Sequence, residues 1–119
     1  MVQAEKTVLF VKRSKDMADV LKAAFIFLGP KADPGTHRQW VKTDKIEVLS
    51  VAVKDYASAV ALAPKLVDEE KIAAIELCGG FGNKGTAMIV DAVKGRVPVG
   101  VVRFDIHPGL GSQSGDALF

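Results

Sequence analysis

Cysteine is almost absent: Cys78 is the only one in 119 residues. An internal disulfide is therefore excluded, and folding needs no oxidising compartment. Histidine is scarce too. His37 and His107 lie far apart in the chain, and no His-Glu-x-x-His or comparable spacing marks a metal site, so no metal is expected. Long hydrophobic runs are missing. The longest clean stretch, Ala23–Leu28, falls far short of the ~20 residues of a membrane span. Neither sign of charge dominates, with 16 Lys and Arg against 14 Asp and Glu. A nucleic-acid protein needs a clustered basic surface, so that class is not expected either. Residues 1–15 carry no leader pattern, and a cytoplasmic location is the expectation.

Apolar residues make up 49% of the chain, enough to form one domain with a buried core. The small net charge of +2 is unevenly placed. Residues 1–22 carry Lys6, Lys12, Arg13, Lys15 and Lys22 against Glu5, Asp16 and Asp19, and the remainder is balanced. Glycine is uneven as well, with most of its 11 residues between Gly79 and Gly115. Two regions follow from this: an N-terminal extension, 1–21, and a domain, 22–119, with a glycine-rich C-terminal tail.

Within that domain apolar strand-length runs alternate with helical patterns. Residues 22–28 read as a strand ended by Gly29-Pro30. Asp33-Pro34 reads as a helix start, an Asp cap followed by a proline whose φ is already set, with a short helix to about Thr43. Residues 46–53 form a second, more polar strand. Asp55 opens a helix to about Lys71 with Ala59, Leu62, Ala63, Leu66 and Val67 on one stripe, and Pro64 should kink or split it. Residues 72–78 form a third strand. A helix from about Asn83 presents Met88, Ile89, Ala92 and Val93 inward and stops at Gly95. Residues 97–104 form the fourth strand. Strands alternating with helices imply a single α/β domain of three layers with a mainly parallel four-stranded sheet. The polar second strand belongs at an edge, giving the doubly wound, flavodoxin-like order 2-1-3-4. Residues 7–12 also look strand-like, and an extra N-terminal edge strand is expected, in this chain or a partner copy.

Ligands of such sheets bind outside the carboxyl ends of the strands. That edge collects the loop Cys78-Gly-Gly-Phe-Gly-Asn-Lys-Gly85 and the exit of the fourth strand. Gly79, Gly80, Gly82 and Gly85 let the backbone approach a ligand. Asn83 and Lys84 lie at the next helix start, whose free N–H groups attract anions. A small phosphate- or carboxylate-bearing ligand would fit there, with Arg103, Asp105 and His37 beside it; His37 and Trp40 would share a face of the first helix. The spacing Gly80-x-Gly82-x-x-Gly85 also matches a dinucleotide fingerprint with Asp105 as the ribose acid. The chain ends one strand later, leaving little to hold the second half of a dinucleotide, so no cofactor is expected.

Three functional classes stay open. The first is a binder of a small anionic metabolite, with a tight turn packing helix against strand as the alternative reading of the loop. The second is a Cys78-dependent enzyme, with His107 as base, Asp105 orienting it, and Glu76 on the same strand face as Cys78. Cys78 reads equally as a small buried apolar residue, and Glu76 as the structural partner of Arg103. The third is a non-catalytic subunit of a homo-oligomer. The glycine-rich tail reads as a flexible flap or a frayed terminus.

The strings Ala24-Phe-Ile-Phe-Leu-Gly-Pro30, Glu76-Leu-Cys-Gly-Gly-Phe-Gly82 and Val101-Val-Arg-Phe-Asp-Ile-His-Pro-Gly109, in that order, carry a resemblance. Over about residues 22–119 the chain resembles a family of small, uncharacterised bacterial proteins classed as a domain of unknown function. The resemblance implies a domain identity and no activity. The first twenty or so residues depart from it as an addition, and Pro64 falls where such helices carry a polar residue.

Overall fold

The computed structural model describes residues 20–119. The expected N-terminal edge strand lies outside them. Within them the chain forms β1 (Leu21–Leu28), β2 (Arg38–Lys42), β3 (Ile46–Val53), α1 (Tyr56–Glu69), β4 (Ala74–Leu77), α2 (Asn83–Ala92) and β5 (Val99–Val101), then two short 3₁₀ turns, Pro108–Leu110 and Gly115–Ala117. One sheet has the order β2-β3-β1-β4-β5. β1 runs parallel to β3 and β4, and β4 parallel to β5, while β2 is antiparallel to β3.

This small α/β domain therefore has a mixed five-stranded sheet and two helices, which corrects the expected mainly parallel four-stranded sheet. The difference lies in residues 33–43, where no helix forms. Asp33 is not a helix cap; its carboxylate accepts from the Gly35 N–H at 3.1 Å and the Thr36 hydroxyl at 2.9 Å. Its carbonyl accepts from the N–H groups of Thr36 and His37. The chain turns back through this local knot, and Arg38–Lys42 adds to β3 with Trp40 opposite Leu49. β2 thus takes the edge, and the more polar β3 lies inside the sheet.

Loss of that helix removes a layer. Register pairs place Ala24, Ile26, Leu49, Val51, Ile75 and Leu77 on one face of the sheet. They form one buried cluster with Ala59, Ala63 and Leu66 of α1, Ile89 of α2 and Val93 just after it. Both helices cover this face, and among the described residues no helix covers the other. α1 starts as its sequence dictates, with the Asp55 carboxylate accepting the Ser58 N–H at 2.8 Å. Pro64 lies inside it without splitting it. In α2 Met88 points outward, contrary to expectation. β4 and β5 are shorter than the apolar runs that signalled them, so Arg103 and Asp105 lie beyond the last strand.

Candidate functional site

The loop after β4 leads into α2 with Gly82 at the cap position, and glycine has no side chain of its own to accept the first-turn N–H groups. The missing acceptor comes from the tail. The Asp116 carboxylate accepts the Lys84 N–H at 2.9 Å and the Gly85 N–H at 3.1 Å. The Tyr56 hydroxyl donates to it at 2.8 Å and accepts the Gly82 N–H at 3.0 Å. An anion does sit where the glycine loop and helix dipole favour one, and it is the chain's own.

The cradle shapes the titration of both groups. Partial burial pushes the Asp116 carboxyl up. The hydrogen bonds from Lys84, Gly85 and Tyr56 and the nearby Lys84 charge outweigh it, holding Asp116 below the usual carboxylate range. Burial, chiefly, with the Asp116 contact adding to it, pushes the Tyr56 hydroxyl up to about 12 against the hydrogen bond from Gly82. Phe81 stacks on the Tyr56 ring at 5.2 Å, and Phe119 reaches it at 6.0 Å.

The tail is folded, not frayed. The His107 N–H donates to the Gln113 carbonyl at 2.9 Å and the His107 Nδ1 accepts the Gly109 N–H at 3.0 Å. This turn sends the chain back toward the loop. Ser114 Oγ then accepts the Asp116 N–H at 3.2 Å and caps the last 3₁₀ turn. Gly115 is buried against the loop, where a Cβ would overlap the Gly80 carbonyl oxygen. Only glycine permits that approach.

Beside the cradle is a cavity of about 190 Å³. Phe81, Val101 and Phe104 give it apolar walls, while Asn83, Arg103, Asp105 and Asp116 supply polar groups. Among the expected site residues, Gly82, Asn83, Arg103 and Asp105 therefore meet there, and Lys84 and Gly85 hold Asp116. Gly79 and Gly80 are buried beneath. Arg103 pairs with Asp105, not with Glu76. His107 lies against Phe104, with ring centroids 4.5 Å apart.

Other expected members fall elsewhere. Glu76 is exposed and, by its pairing with Phe25, faces the side of the sheet away from the helices. His37 lies before β2, its Nδ1 accepting the Asp33 N–H at 2.9 Å. Trp40 packs on the core, so the two share no helix face. Cys78 Sγ accepts the Gly80 N–H at 3.3 Å, and no hydrogen bond links it to His107 among the described residues. Nor do three His, Cys, Asp or Glu side chains gather there as a metal site requires. No described helix is long and apolar enough to cross a membrane.

Tyr56 and Asp116 escaped the sequence reading. The lone tyrosine directly after a helix cap was the available signal, because a buried hydroxyl needs a partner. Nothing local announces that the partner is Asp116.

The molecule is thus a small α/β domain whose C-terminal tail caps the glycine loop of its last helix. It belongs to the family of unknown function DUF6506, whose sequence model matches residues 21–117. No curated protein matches the chain.

Proposed function

We propose that this protein binds a small metabolite bearing a carboxylate or phosphate at the carboxyl edge of its sheet, in competition with its own tail. The observation that carries this reading is the Asp116 carboxylate seated on two backbone N–H groups and the Tyr56 hydroxyl. A ligand carboxylate or phosphate oxygen offers the same acceptors to the same donors. Asn83 and Arg103 line the adjoining cavity and would hold the rest of the ligand. Its volume of about 190 Å³ lies below the ~300–1,000 Å³ of most ligand pockets and so suits a small metabolite better than a dinucleotide.

A Cys78-dependent enzyme has less support. Cys78 Sγ and His107 Nδ1 each accept a backbone N–H, and no hydrogen bond joins the two side chains among the described residues.

Thermal shift and calorimetric titration with inorganic phosphate and a panel of small carboxylates and phosphate monoesters test the proposal. Wild-type protein should respond weakly. Asp116→Ala protein, with the cradle emptied, should be stabilised at several-fold lower anion concentration. No stabilisation of either protein by any of these anions would overturn it and leave the cradle a purely internal clasp.

A further inference from the structure

We infer that the helix-free face of the sheet is the docking surface for a second copy of this chain, packed face to face. Strand register places Phe25 and Phe27 of β1, Val41 of β2, and Ile46 and Val48 of β3 together on this face. The two phenylalanine rings stack at 6.2 Å. Val41 is 60% exposed, Ile46 48% and Phe27 37%. Parallel strands are normally buried on both faces, yet among the described residues both helices lie on the other side. An apolar face of this breadth marks an interaction site.

Breadth and charge select the partner. Five strands at ~4.8 Å spacing and about six residues at ~3.3 Å rise give roughly 500 Å² per copy. A face-to-face pair therefore buries roughly 1,000 Å², the lower limit for a specific interface. A single peptide or helix is ~10 Å wide and would cover only a strip of the surface. Glu76 is the one ionised side chain that strand register puts on this face, so a strongly charged partner would find no complement. A second copy matches it in twist, width and neutrality, and stacked sheets interdigitate at ~10 Å separation. Docking here leaves the Asp116 cradle free on the helix side, so this inference does not depend on the proposed ligand.

Sedimentation equilibrium of the full chain at micromolar concentration reads the interface. Wild type should have the mass of a dimer. Phe27→Asp should be monomeric, and Val41→Asp should raise the dimer dissociation constant at least about tenfold. Val90→Asp, at an equally apolar but helix-side position 40% exposed, should leave that constant unchanged. Circular dichroism checks folding; if Phe27→Asp does not fold, the more exposed Val41 carries the test. A monomeric wild type, whatever else covers the face, overturns the inference. So does a dimer that tolerates the folded variants or is weakened equally by Val90→Asp.

Discussion

The same strands build two unlike faces. On the helix side Ile26, Leu49, Val51 and Leu77 are wholly buried and pack with residues of α1 and α2. On the other side their immediate neighbours Phe25, Phe27 and Val48 meet no helix among the described residues. Alternation along a strand makes both faces apolar at once, so sequence pattern alone does not say which will be covered. Coverage is decided by where the connections run, and the first connection here became an edge strand.

Substitutions can set the two faces against each other. Leu77→Ala, on the covered side, should cost about 2–5 kcal/mol in urea unfolding. Val41→Ala, on the open side, should stay within about 0.5 kcal/mol at low protein concentration. Equal losses would mean that the open face is already packed within one chain.

The cradle that closes the helix side comes next in size. Asp116→Ala should lose about 1–2 kcal/mol, since it strips the acceptor from two first-turn N–H groups and from Tyr56. Its pH dependence has a definite sign. Asp116 is held below its ordinary 3.8, so its contribution is present above that pH and is lost as pH falls through the lowered value. Tyr56 behaves oppositely. Raised from 10.0 to about 12, it contributes fully below pH 10 and loses that contribution as pH rises toward 12. Tyr56→Phe protein should show a shallower alkaline decline than wild type. An identical decline in both would detach Tyr56 from the cradle.

A smaller effect than the cradle's belongs to the tie between the edge strand and α1. Arg38 bonds Glu70 at 2.8 Å and ties β2 to the end of α1. Both side chains are partly solvated, so Arg38→Ala should cost no more than about 1 kcal/mol. A larger loss would show that β2 depends on this tie more than on its ladder with β3.

Legibility followed the range of the interactions. The start of α1 was readable because Asp55 caps a residue three positions on. The strand at 46–53 was readable from β-branched density. Asp33-Pro34-Gly35 misled because an Asp acceptor followed by proline opens a helix and a turn equally well. Thr36 and His37 bonding back to Asp33 settle it as a turn. Arg38–Lys42 then owes its strand form to pairing with β3, and pairing is not a local property. The glycine density of the loop after β4 is visible in the sequence, yet the carboxylate that caps the following helix comes from more than thirty positions downstream.

The sequence by itself determined that this is one α/β domain, where its main strands and two helices lie, and that a glycine-dense loop precedes the last helix. These follow from periodicity, caps and composition, all of which act over a few residues. Tertiary structure alone decided that the sheet is mixed, that both described helices pack on one face of it, and that the tail supplies the carboxylate for that loop. Those outcomes turn on contacts between distant segments, where geometry selects among partners that the local chain leaves equivalent.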